Sequence, residues 1–173
     1  MDTSVNETKV VFSVLTVNHP GVLLRVTGLF SRRGFNIDSI VACSTEKPEF
    51  SRWTLVVTGD QATFTQLLRQ LLKLEDVVKV EVLEPEDCSN SELLLIKMRA
   101  EGQQGRVDVL RAAQTYGARI LDISDASMTV EMTGQTREMD AFIRHMEPLG
   151  ILEMARTGIT ALARGDCTIR EDD

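Results

Sequence analysis

Apolar residues recur along this chain with two different periods. From Val10 to Val17, "VVFSVLTV", β-branched and aromatic residues dominate: Val10, Phe12 and Val14 fall to one side, Val11, Leu15 and Val17 to the other. That pattern predicts a strand apolar on both faces and therefore covered on both. The period then lengthens. Val22, Val26, Leu29 and Phe30 stand at i, i+4, i+7 and i+8, predicting a helix over about residues 21–33, and Gly34 suits the left-handed position that closes it. "FNIDSIVACS" reads as a second strand, "TEKPEF" as a loop broken by Pro48, and "SRWTLVVTG" as a third strand with Trp53, Leu55 and Val57 on one face. Phe64, Leu67, Leu68, Leu71 and Leu72 mark a second helix. A fourth strand, "VVKVEVL", sets Val78, Val80 and Val82 against Lys79 and Glu81.

The order β-α-β-β-α-β starts again after a polar, acidic stretch, "EPEDCSN". "ELLLIKM" is a strand, "RVDVLRAAQTYG" a helix, "ARILDIS" and "SMTVEMTG" a strand pair around Asp125, "REMDAFIRHM" a helix, and "ILEMARTGITALA" a last strand interrupted at Gly158. The expected class is α+β, with two ferredoxin-like βαββαβ modules. The first spans 1–84 with its core at about 10–84, 85–90 is a linker, and 91–173 is the second module with a loose tail, "RGDCTIREDD". Two helices cover only one face of each small sheet. Another module or a second copy of the chain is then expected over the other, which predicts a homodimer.

Composition narrows the functions. The chain has 173 residues, with 26 acidic against 19 basic and a net charge of -7, which argues against a broad grip on nucleic acid or on an anionic membrane. A β-α-β-β-α-β order also occurs in RNA-binding modules, but their third strand needs stacking aromatics and here it offers only Trp53. "GQQG", residues 102–105, lacks the basic context of a phosphate clamp and reads as a plain loop. Cys43, Cys88 and Cys167 are odd in number and far apart, which argues against a disulfide framework or zinc site and for reduced thiols in the cytoplasm. The first residues show no signal-peptide pattern, and no apolar run reaches the roughly 18 residues that span a bilayer. His19 and His145 have no partner at metal-ligand spacing, and no nucleotide-cradling or nucleophile-elbow motif is present, so no catalytic residue and no metal site is expected.

One stretch carries chemistry: "NHPGVLLRVTGLFSRRGFNID". Pro20 suits the first turn of a helix, and Gly21 leaves the backbone unshielded. The N–H groups of Gly21, Val22 and Leu23 then converge where a carboxylate binds well. Asn18 just upstream and Asn36 beyond the helix add amides, a set that suits a zwitterion with an aliphatic side chain. The plainer reading has Asn18 capping a turn and Asn36 satisfying a tight connection.

"VLTVNHPGVLLRVTGLFSRRGFNIDSI" followed by "SRWTLVV" resembles the amino-terminal ACT domain of the acetolactate synthase (acetohydroxyacid synthase) small-subunit family. "MARTGITALARG", residues 154–165, resembles the family's closing segment. The resemblance implies an N-terminal ACT domain and a C-terminal ferredoxin-like domain. It also implies a non-catalytic regulatory subunit of branched-chain amino acid biosynthesis. Such a subunit activates a large subunit that holds thiamine diphosphate, FAD and magnesium, and confers feedback inhibition, typically by valine, at the seam between two ACT domains. By motif position the effector contacts fall on Asn18, Gly21, Val22 and Leu23, with Asn36 and Ile37 from the facing side. Two positions depart from the family pattern: His19 replaces an acidic residue and Leu24 a serine or alanine. The alternative is an ACT-type amino-acid-sensing regulator of transcription or of an enzyme of another pathway; a transcriptional regulator would need a DNA-binding helix beside the modules. An acylphosphatase-like enzyme would need an arginine-bearing phosphate loop after the first strand. Neither feature is in the sequence.

Overall fold

In a computed structural model, residues 8–84 and 86–170 are described. They form two compact units: one runs up to Asn90 and resumes at Ile159, the other is Ser91–Gly158.

The first unit follows the period changes of the sequence. It comprises β1 (Thr8–Val17), α1 (Val22–Arg33), β2 (Ile37–Ser44), β3 (Phe50–Gly59), α2 (Gln61–Leu71) and β4 (Val77–Leu83), with antiparallel strands in the order β2-β3-β1-β4. The register pairs Phe12 with Leu55 and Val14 with Trp53 on the helix side, where they pack against Val22, Val26, Phe30, Leu67 and Leu71. Each helix ends as its sequence dictates. Gly34 takes φ 69° and donates to Phe30 and Ser31, while Asp60 caps α2 by accepting from the Thr63 N–H at 2.8 Å. Burial of Phe12, Leu55 and Leu67 at 0% exposure anchors the two layers, each side chain contributing about 1.5–3 kcal/mol of transfer free energy.

The second unit repeats the order with β5 (Cys88–Arg99), α3 (Gly102–Thr115), β6 (Arg119–Ile123), β7 (Ser127–Gly134), α4 (Thr136–Gly150) and β8 (Ile151–Arg156). Its strands run β6-β7-β5-β8, and a last strand, β9 (Thr160–Ala163), pairs with β5. Leu94, Ile96, Met98, Met128 and Val130 meet Val109, Met139, Phe142 and Met146 in its core. The fold is therefore α+β with two βαββαβ modules, as the hydrophobic pattern predicts.

Four local expectations are corrected. Residues 102–105 are the first turn of α3 rather than a loop, because Gln104 donates to Asp108 one turn on and Gly105 comes close to the Ala100 backbone, where a Cβ would lie 3.5 Å from its carbonyl carbon. The polar stretch 84–90 is not all linker: from Cys88 the chain is already β5, and Cys88 is 1% exposed (Pro85 lies outside the described residues). The tail is not loose through residue 170. Ile169 is buried, and Arg164 donates from Nε to the Cys88 carbonyl at 2.9 Å, while residues 171–173 lie outside the described residues. Finally, residues from Ile159 on group with the first unit instead of with the rest of the 91–173 span. The cause is the apolar outer face of the first sheet. Val11, Val56 and Leu83 are buried there against Cys88, Ile159, Ala161 and Ala163, so the chain's own returning segment covers the second face of β1.

Candidate functional site

The turn between β1 and α1 is built by a left-handed glycine. Gly21 takes φ 95° and ψ -16° and is the N-cap, so the helix starts at Val22 and Pro20 lies ahead of the cap instead of inside the first turn. Among the described residues no side chain caps this terminus, and no acidic residue lies in the first turn. A first turn leaves its N–H groups without intrahelical acceptors. Here the Val22 N–H makes only a long 3.5 Å contact with the His19 carbonyl. A Cβ built on Gly21 would meet nothing within 4 Å, so the space above the turn is open.

Asn18 and His19 hold that turn in place. The Asn18 backbone N–H donates to Glu49 at 2.7 Å, and its side-chain Nδ2 donates to the Pro48 carbonyl at 2.9 Å. Its donors thus tie β1 to the β2–β3 loop, and Oδ1 is the remaining acceptor. The His19 ring lies 3.0 Å from the Pro20 carbonyl through Nδ1 and 2.8 Å from Asp76 Oδ1 through Nε2. Arg25 Nη1 sits 2.9 Å from the other Asp76 oxygen. Asp76 is 6% exposed, so one buried carboxylate joins the turn to the first helical residues. His19, where the family pattern has an acid, is therefore a structural partner of Asp76.

The open turn faces a cleft of about 380 Å³ that brings together Asn18, Gly21, Val22 and Leu23 with Cys43 and Trp53. Trp53 is 4% exposed, and its indole Nε1 has no hydrogen-bond partner among the described residues. A buried donor without an acceptor is rare and costs roughly 1–3 kcal/mol. Sequence reasoning placed Trp53 on a strand face only. That its indole N–H is left without a partner depends on tertiary neighbours that no local pattern shows.

Asn36 and Ile37 lie elsewhere. They line a second cleft of about 920 Å³ with Lys9, Asp38, Thr58 and Thr63. There Asn36 Nδ2 donates to Asp38 Oδ1 at 3.2 Å, while Asp38 Oδ2 accepts from Thr58 at 2.7 Å and faces Lys9 at 3.3 Å. The Thr58 hydrogen bond, aided by Lys9 and Asn36 and opposed by desolvation, holds the Asp38 pKa below its ordinary value. The 12 residues of α1, about 18 Å of helix, separate the two clefts. One chain thus unites Asn18, Gly21, Val22 and Leu23 but not Asn36 and Ile37. β2, which begins with Ile37, is an edge strand of its sheet, and Leu23 and Leu24 project outward at 54% and 76% exposure. Among the described residues no cluster of His, Cys, Asp or Glu is arranged to hold a metal, and no helix is long and apolar enough to cross a membrane.

A βαββαβ sheet with a bare helix start next to an edge strand has the architecture of an ACT domain. A family model described as the AHAS small subunit-like ACT domain matches residues 12–79, and one described as the small subunit of acetolactate synthase matches residues 91–165. The chain is 41% identical over 159 residues to the probable acetolactate synthase small subunit of Methanothermobacter thermautotrophicus, covering 92% of this chain and 95% of that one. It is 43% identical over 153 residues to the acetolactate synthase small subunit of Mycobacterium leprae, covering 88% and 90%. The crystal structure of the acetolactate synthase small subunit from Thermotoga maritima superposes with a TM-score of 0.85 at 35% identity, covering 92% of this chain and 99% of that one. The chain belongs to the acetolactate synthase small-subunit family.

Proposed function

We propose that this chain is the non-catalytic regulatory subunit of an acetolactate synthase in the cytoplasm. It activates a catalytic large subunit and confers feedback inhibition by a branched-chain amino acid, valine first, bound where two ACT domains of a homodimer meet. Thiamine diphosphate, FAD and magnesium are assigned to the large subunit, with no cofactor on this chain.

The observation that carries the effector site is the cleft at the start of α1. It combines an uncapped helix N-terminus with an open space over Gly21, in a cleft that Trp53 also lines. The helix N–H donors suit a carboxylate, and Val22 and Leu23 suit a short aliphatic side chain. Asn36 and Ile37 join the set only from a second copy, which ties effector binding to pairing of the edge strands. Effector binding then reaches the large subunit as a coupling free energy of about 1–3 kcal/mol.

Calorimetric titration with valine tests the site in three proteins: wild type, Gly21→Ala and Gly21→Asp. Both variants strain a backbone at φ 95°, by about 1–3 kcal/mol, so their difference isolates the added negative charge. Wild type binds, Gly21→Ala binds more weakly, and Gly21→Asp shows no heat of binding. Equal binding by the alanine and aspartate variants removes the carboxylate from this turn. Co-purification with the large subunit, followed by acetolactate assays with and without valine, tests the regulatory role itself.

A further inference from the structure

The first unit holds a third cavity, on the other side of its sheet from the α1 cleft. Its volume is about 330 Å³, within the range of small-ligand pockets. Its floor is the outer face of β1, β3 and β4, with Leu15, Arg52 and Glu81. Its wall is the returning C-terminal segment, with Leu162, Cys167 and Ile169, and Phe50 closes one end. That wall is pinned in place: the Arg164 N–H donates to Asp87 at 2.9 Å, Lys79 Nζ reaches the Thr168 carbonyl at 3.4 Å, and Arg170 pairs with Glu46 at 3.3 Å.

The charges of the lining do not cancel. Glu46 is matched by Arg170, and Glu81 by Lys79 at 3.6 Å. Arg52 is half-buried, and among the described residues it forms no ion pair. Its Nη2 donates to the Ala161 carbonyl at 2.9 Å, which leaves the other guanidinium N–H groups. Desolvation pushes its pKa below the ordinary arginine value, with the more distant Glu81 opposing. Arginine is rarely held out of water without an anionic partner, and its planar fork matches a carboxylate.

We propose that this cavity binds a small aliphatic carboxylate, with the anionic end on Arg52 and the hydrocarbon end against Leu15, Phe50, Leu162 and Ile169. The site is separate from the α1 cleft and does not depend on the effector reading. A 2-oxo acid and an aliphatic amino acid share this chemistry. They differ at Glu81, which offers an acceptor to an ammonium group and nothing to a keto oxygen.

Of the two exposed cysteines, Cys167 is the reporter for this cavity, since Cys43 lies directly across the β2–β3 ladder from Arg52 and does not read the α1 cleft alone. Cys167 lines this cavity and Cys43 lines the α1 cleft, while Cys88 is buried. The full-length chain is alkylated with iodoacetamide alone and with butyrate, 2-oxobutanoate, valine or uncharged butyramide, and the modification of each cysteine is followed by peptide mass spectrometry. At ten times the Kd a bound carboxylate slows Cys167 modification about tenfold, and butyramide does not. Protection is lost in Arg52→Met. It is lost as well in Leu162→Glu, whose side chain, at 55% exposure, tolerates a polar replacement without unfolding the chain. Ranking of the three carboxylates identifies the source, with preference for valine pointing to the Glu81 contact. The proposal is overturned if no carboxylate protects Cys167, if butyramide protects it equally, or if protection survives in both variants. Equal valine binding by Gly21→Ala and Gly21→Asp tells against the effector site, while protection of Cys167 leaves this one standing.

Discussion

At the scale of single residues, the two departures from the family pattern have different physical meanings. His19 is tied down by Asp76, which also receives Arg25, so the residue that replaces an acid is part of the scaffold of the turn. Leu24 has no such role: at 76% exposure it lies on the open face of α1 and is available to a partner. Asp38 gives a pH prediction. Its folded-state pKa lies below the ordinary 3.8, so its contribution to stability is present above that value and is lost as pH falls through the folded value. Urea unfolding of wild type and Asp38→Asn is expected to show wild type the more stable at about pH 6 and the gap narrowing as pH falls below the ordinary 3.8. A gap that stays constant across that range means that Asp38 acts through packing. Because Asp38 also holds the Asn36 amide, the same acidification frees that side chain.

At the scale of elements, periodicity was enough where an element buries one regular face. Phe64, Leu67 and Leu71 of α2 and the alternation of β3 were legible because their apolar spacing is the period of the element itself. Three features were not legible, each for a tertiary reason. The strand after Gly158 is read from its pattern and is β9, but where it lies is not: its Ala161, 1% exposed, looks like any small residue until Val11 and Leu83 are placed beneath it. The tail is polar by composition, yet its backbone hydrogen bonds and Ile169 settle it against the first unit. The apolar spacing puts the helix start one residue before Val22, since only the φ of Gly21 distinguishes a cap from a first turn. Of the candidate site, the half at Asn18–Leu23 was readable from its punctuation and the place of Trp53 in the cleft was not. Ala161→Asp tests β9 directly. It places an unpaired carboxylate in an apolar cluster and is expected to lower stability by roughly 3 kcal/mol or more in urea unfolding. A loss below about 0.5 kcal/mol, the range of surface substitutions, means that β9 adds nothing to the first unit.

At the scale of the whole molecule, the outer face of the first sheet no longer requires a second copy of the chain, because residues 159–163 cover part of it. The case for a homodimer now rests on the β2 edge, the exposed Leu23 and Leu24, and the separation of Asn36 from the α1 cleft. Sedimentation velocity across a range of concentrations is expected to show a dimer that valine tightens. A monomer at every concentration, with and without valine, removes the shared site.

The return of residues 159–170 to the first unit also sets an order of events during synthesis. Domains generally fold as units from the amino-terminal end while the chain is being made. Here the helix side of the first sheet can assemble early, but Val11, Val56 and Leu83 stay uncovered until the entire second module has been translated. The nascent chain therefore carries an apolar sheet face for the time needed to make some seventy further residues, Ser91–Gly158. A ribosome-associated chaperone has its natural substrate in that interval, and a stalled or truncated translation product would keep the face open for good.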